Sequence, residues 1–146
     1  MTQLSPEDQM NLNSGIAAFE SKHFANAMQL LSPLAEKGEP DAQYRCAIMQ
    51  QNGLLGATHT AKAYELMEKA AHQGHPMAQH GVGFMYMEGE CTDKDIEKAI
   101  YWFEKAADQG LQGSLVTLGM IYQDGNGIQK DEAKAQEYLK RAGFEP

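Results

Sequence analysis

Residues 61–74 read AKAYELMEKAAHQG, and residues 97–110 read EKAIYWFEKAADQG. Eight of the fourteen positions are identical, and the two stretches begin 36 residues apart. A third, looser copy, EAKAQEYLKRAG, occupies 132–143, and its Lys134 and Ala135 again fall 36 positions beyond Lys98 and Ala99. Self-similarity at a period of roughly 20–50 residues is the signature of stacked repeats, in which each unit buries its apolar face only against a neighbour. Extended outward without gaps, the register gives three units, 41–76, 77–112 and 113–146. Ala42, Ala78 and Ser114 coincide, as do Gly53, Gly89 and Gly125, Lys62, Lys98 and Lys134, and Ala63, Ala99 and Ala135.

Each unit reads as two helices. In MAQHGVGFMYME (77–88), Ala78, Val82 and Tyr86 recur every four residues and form one helical stripe. Gly83 and Gly119 fall in mid-helix, where glycine costs up to about 1 kcal/mol against alanine. That cost is tolerable if the missing side chain lets a second helix approach closely. The second helix of the unit is DIEKAIYWFEKAADQG, with Asp95 as its expected N-cap and Gly110 as its C′ residue. Ala99, Trp102, Phe103, Ala106 and Ala107 supply its apolar stripe. The connections, GECT in one copy and GNGIQ in another, are turn chemistry. Residues 5–40 form a shorter unit of tetratricopeptide-like pattern, carried by Gly15, Phe19, Phe24, Ala27 and Pro40, with a tighter turn at Lys22–His23. No segment alternates with the period of a strand. The expectation is a single all-α repeat domain, a right-handed α/α superhelix (solenoid) of about four helix-turn-helix repeats and roughly eight helices.

The stretch 78–110, AQHGVGFMYMEGECTDKDIEKAIYWFEKAADQG, resembles a Sel-1-like repeat, an α/α solenoid unit related to the tetratricopeptide repeat. The family pattern falls on Ala78, Val82-Gly83, Tyr86, Gly89, Asp95, Lys98-Ala99, Trp102, Lys105-Ala106-Ala107 and Gly110. In the last unit it falls on Leu118-Gly119, Tyr122, Gly125-Asn126-Gly127, Asp131, Lys134-Ala135 and Tyr138. Unit 41–76 departs most: Gln50 replaces the tyrosine, Leu55 the second glycine, His59 the aspartate and Leu66 the tryptophan. The pattern residues are structural. What the resemblance implies for function is therefore general, a non-enzymatic adaptor or scaffold that binds other proteins.

Bulk composition narrows the partners. The chain has 146 residues and a formal net charge of −8, with 42% hydrophobic and 22% charged residues, ordinary for a globular domain. No Lys/Arg cluster exists to neutralise phosphates, so nucleic acid and anionic membrane surfaces are not expected partners. No apolar run approaches the roughly 18 residues of a membrane span, and MTQLSPEDQMNLNSG lacks the features of a secretory signal. A cytoplasmic, bacterial protein is the default expectation. Cys46 and Cys91 match no zinc or redox spacing, and packed, inert thiols are expected.

No catalytic or cofactor motif emerges. There is no GxxxxGK[ST], and no GxGxxG follows a strand. Cysteine-rich relatives of the resembled family are reported to bind penicillin, yet no serine here has a lysine three residues later. His72, His75 and His80 lie within nine residues but straddle a helix end, a turn and the next helix start. His72 suits a helix C-terminus, and no metal site or other cofactor is expected.

First helices line the concave side of such solenoids. If Ala42, Cys46, Ala47 and Gln50 face the second helix, the other side of that helix carries Tyr44, Ile48 and Gln51. The matching sets are His80, Phe84 and Met87, then Val116, Met120 and Gln123, with Leu12, Ile16 and Phe19 in the first unit. By resemblance to tetratricopeptide repeats, these positions bind ligand peptides. Ile16, Phe19, Tyr44, Ile48, Gln51, His80, Phe84, Met87, Met120 and Gln123 are thus the candidate partner-binding residues, with packing between neighbouring units as the alternative. Exposed apolar stretches commonly mark interaction sites, and methionine adapts to varied partners. Asn52, Glu88 and Asp124 give an acidic rim that favours a partner with basic residues. Self-association through the same apolar surface, as a homo-oligomeric structural protein, is the rival reading. As an adaptor the protein is expected to be a monomer or weak homodimer.

Overall fold

A computed structural model describes residues 3–144. Among them are eight helices and no strand: α1 (Pro6–Glu20), α2 (Phe24–Glu36), α3 (Pro40–Gln51), α4 (Thr60–His72), α5 (Pro76–Glu88), α6 (Ile96–Asp108), α7 (Gln112–Asp124) and α8 (Glu132–Arg141). They pair as α1/α2, α3/α4, α5/α6 and α7/α8, the expected helix-turn-helix repeat. The helices group into two compact halves, α1–α4 and α5–α8.

Local chemistry sets the boundaries. Ser5 Oγ accepts from the Asp8 amide at 3.1 Å, and Pro6 follows at the first helical position, where no amide hydrogen is needed. Asp95 and Asp131 cap α6 and α8 in the same way, accepting from Lys98 N at 3.1 Å and Lys134 N at 3.0 Å. Second helices stop on one recurring device. Gly38, Gly74, Gly110 and Gly143 have φ between +89° and +99°. The residue after each donates its amide to a carbonyl five positions back, as in Leu111 N to Ala106 O at 3.2 Å.

The 36-residue period is written in the backbone. His59 N donates to Gln50 O at 2.9 Å, Asp95 N to Tyr86 O at 2.9 Å, and Asp131 N to Tyr122 O at 3.0 Å. Even the divergent unit 41–76 therefore keeps the closing hydrogen bond of its loop. What it loses is local. All three loops open on a left-handed glycine, Gly53, Gly89 or Gly125, but the second positive-φ residue sits at Cys91 (φ +68°) and Gly127 (φ +81°) in the later loops and at Gly56 (φ +121°) here, one position beyond Leu55. His59 also makes no side-chain cap, although its backbone (φ −132°, ψ 81°) resembles that of Asp95 (φ −155°, ψ 99°). His59→Asp is accordingly expected to add a capping hydrogen bond and raise stability by about 1 kcal/mol, read as a higher denaturant midpoint at unchanged slope.

Small residues at the helix crossings permit close packing. A methyl group on Gly83 would stand 2.8 Å from Cε1 of Phe103, and one on Gly119 2.7 Å from Cγ of Leu139. Ala47 holds the matching place in α3 and is fully buried. The first unit does the same with Gly15 against Leu31. Large side chains from the second helices fill the resulting spaces, among them Leu31, Met67 and Phe103, all at most 1% exposed. Two buried glutamines recur with the period: Gln43 Oε1 accepts from Gln73 Nε2 at 2.8 Å, and Gln79 Oε1 from Gln109 Nε2 at 2.9 Å. Each pair ties a first helix to the C-terminal cap of its own second helix, so these buried amides are satisfied.

Candidate functional site

The predicted surface divides into side chains engaged in packing and side chains left to solvent. In the N-terminal half Leu12 belongs to the core, 6% exposed, and Ile16, Phe19, Tyr44, Ile48 and Gln51 are half-buried. Phe19 meets Phe24 edge-on at 5.8 Å, and the Arg45 guanidinium lies 5.6 Å above its ring. Tyr44 stacks on His75 at 4.9 Å, and His75 Nε2 in turn lies 2.8 Å from Asp41 Oδ1. These contacts hold Tyr44 against its own repeat and Phe19 against its own and the next.

In the C-terminal half His80 is also tied inward. Its Nδ1 lies 2.8 Å from Ser114 Oγ, and its ring sits 5.1 Å from that of Phe103. Burial holds the imidazole below its ordinary value of 6.5, favouring the neutral form that this pairing with a hydroxyl accommodates. Phe84 and Met120, by contrast, are 41% and 53% exposed, Gln123 is exposed and Met87 half-buried. Met87 and Met120 lie on the walls of a depression of about 250 Å³, together with Ile96 and Thr117. Glu88 and Asp124 stand at its edge and are solvent-exposed, giving an apolar floor with two carboxylates beside it. Phe84 is one helical turn from Met87 and Glu88 on α5, which continues the same face. Ile96 and Thr117 were not singled out from sequence. Ile96 is the first residue of α6 and lines the depression with Thr117 and Met120 of α7.

The remaining candidate chemistry is dispersed. His72 pairs with Glu68 at 4.0 Å within α4, His75 with Asp41 and His80 with Ser114. Among the described residues no three His, Cys, Asp or Glu side chains converge as a metal site would require. Cys46 is buried in mid-helix, and burial pushes its thiol from an ordinary 9.0 up to about 11. Cys91 is partly exposed in the loop after α5, raised by its partial burial and by Glu90. Neither is poised as a thiolate nucleophile at neutral pH.

The raised Cys46 value sets a pH dependence. An acid whose folded pKa exceeds its unfolded one favours the fold while it is protonated. Its contribution is intact below about pH 9 and is lost as the pH rises toward 11. Burial and the Glu104 hydrogen bond raise the Tyr138 phenol as well, adding to the alkaline loss. Cys46→Val, which installs the residue found at the matching position 82, is expected to flatten the fall in melting temperature between pH 9 and 11. An unchanged alkaline profile would contradict this assignment.

Known proteins share this arrangement. The Sel1 repeat pattern matches residues 40–75, 76–111 and 116–143, more than half of the chain. A Sel1 repeat protein from Oxalobacter formigenes is similar over 90% of this chain and 54% of its own, at 28% identity and a TM-score of 0.80. The c5321 protein, a protective antigen present in uropathogenic Escherichia coli strains and displaying an SLR fold, is similar over 93% of this chain and 30% of its own. There the identity is 30% and the TM-score 0.83. Pseudomonas aeruginosa 5086 shares the fold at 19% identity and a TM-score of 0.50. The chain thus spans about half, or less than a third, of the length of the first two. No curated protein matches it significantly. Among the described residues no helix is long and apolar enough to cross a membrane.

Proposed function

Because the chain belongs to the Sel1 repeat family, whose repeats generally serve as non-catalytic protein-interaction modules, we propose that it is an adaptor whose partner docks on the first helices α5 and α7. The observation that carries this reading is the exposure of Phe84 and Met120 on successive first helices, beside an apolar depression. Water solvates two such side chains poorly, and covering them with a partner's apolar side chain gains roughly 25 cal/mol per Å² removed from water. Glu88 and Asp124 beside the floor, on a chain of net charge −8, favour a peptide or helix in which that apolar residue is flanked by lysine or arginine. The half-buried candidates of α1 and α3 serve mainly to hold their repeats together.

Affinity capture with matched variants tests the reading. A partner retained by wild type and by Glu97→Ala, but lost with Phe84→Asp, is the expected result. A partner that survives Phe84→Asp contradicts it. The same exposed pair also favours self-association as a second reading. A solution mass of twice 16.1 kDa that Met120→Asp returns to the monomer would assign the surface to a second copy instead.

A further inference from the structure

The chain shows in its C-terminal half what normally fills the space beside a first helix. Tyr122 of α7 stacks on Tyr138 of α8 at 5.9 Å with only 10° between the rings. Lys134 Nζ lies 5.0 Å over Tyr122, the Arg141 guanidinium 5.6 Å over Tyr138, and Tyr138 Oη donates to Glu104 Oε2 at 2.8 Å. Lys98 covers Tyr86 similarly at 5.5 Å in the preceding pair. Three of these five positions carry different chemistry at the matching places around α3 and α4. Gln50 stands at the place of Tyr122, Leu66 at that of Tyr138 and Ser32 at that of Glu104, whereas the cations persist as Lys62 and Lys69. Both aromatic rings are gone, and the two cations that would cover them remain.

A cleft of about 350 Å³ opens there between α2, α3 and α4, at the small end of the range for ligand pockets. Gln50, Leu66 and Ser32 line it, with Cys46 on its wall. Lys37, Lys62 and Lys69 also line it, against a single lining carboxylate, Glu36. Lys37 pairs with Asp8 at 2.9 Å, and Glu65 is shared by Lys69 at 3.0 Å and Lys62 at 3.8 Å. All three lysines are at least half exposed, so these ion pairs are weak and exchange readily for others.

We propose that this cleft is a docking site for an aromatic side chain of a partner peptide, seated where Tyr122 sits in the last repeat and flanked by carboxylates that meet Lys37, Lys62 and Lys69. The ring would bury against Leu66 and the Cys46 wall, under the ammonium groups, by the same cation–π contact that the chain makes internally. The site uses α2–α4 alone, so it stands whether or not α5 and α7 bind a partner of their own.

The test is a titration followed by the methyl signal of Met28, which lines the cleft, with the Met120 methyl as an internal control. The probe is an acetylated, amidated pentapeptide with a central tyrosine between two pairs of glutamates. Saturable shifts at Met28 and none at Met120 are expected. Replacing the tyrosine by leucine, or the glutamates by lysines, should weaken binding about fivefold or more. Lys62→Glu, at an exposed position, should do the same without altering the melting temperature. Gln50→Tyr with Leu66→Tyr rebuilds the plug on the α3 side of the cleft and should weaken binding about fivefold or more; should that double variant fold poorly, Lys62→Glu decides. Equal affinity for all peptides, no saturable shift, or shifts unchanged in both Lys62→Glu and the plugged variant would overturn the proposal. Met28 shifts that follow protein concentration without peptide would give the cleft to a second copy, and overturn it equally.

Discussion

Gly83→Val is expected to cost about 3 kcal/mol of stability, even though glycine is the poorer helix former. The first added carbon already stands 2.8 Å from the Phe103 ring, and that ring is fully buried. Separating α5 from α6 would relieve the clash only by opening the core between them. Phe103→Ala, in turn, leaves a ring-sized cavity and is expected to cost about 3–5 kcal/mol. The two changes share one space, so the double variant should lose less than the sum by at least about 1 kcal/mol, because the valine methyls enter the vacated volume. Chemical denaturation of the four proteins measures this directly. Additive losses would mean that Gly83 is kept for some reason other than the approach of α6.

Met120→Asp is expected to weaken partner binding by about 30-fold or more, the effect of losing an interface hot spot and placing a carboxylate on the apolar floor. Met120 is 53% exposed and contributes little to the core, so the melting temperature should stay within about 2 °C. Acid at this place also adds to Glu88 and Asp124, which strengthens attraction for a basic flank while removing the apolar seat. Isothermal titration with a captured partner separates the two contributions. Unchanged affinity would place the contact elsewhere.

Much of the fold is legible in the sequence because the repeat is a physical device repeated at fixed spacing. Asp95 caps a helix, Gly110 ends one in the left-handed region, and Gly83 admits a neighbouring ring, each as its residue type requires. The departures of unit 41–76 were visible as well, at Gln50, Leu55, His59 and Leu66. Their consequence was not. A missing tyrosine and tryptophan leave open whether neighbouring chains close the gap or a cleft remains, and only the packing of α2 against α3 and α4 decides that. The candidate surface was legible in part for a similar reason. Helical spacing places Phe19, Tyr44 and His80 on one side of their helices, but not what else reaches that side. Phe24, His75 and Ser114 come from other helices or turns and occupy it. Phe84 and Met120 meet no such neighbour and stay exposed.

A photo-reactive benzoylphenylalanine placed in turn at positions 84, 120 and 97 tests the docking surface most directly. Crosslinks to one and the same basic partner from 84 and 120, and none from 97 on α6, are the predicted result. Crosslinks from 97 alone, or from none of the three while the partner still binds, would contradict a docking surface on α5 and α7.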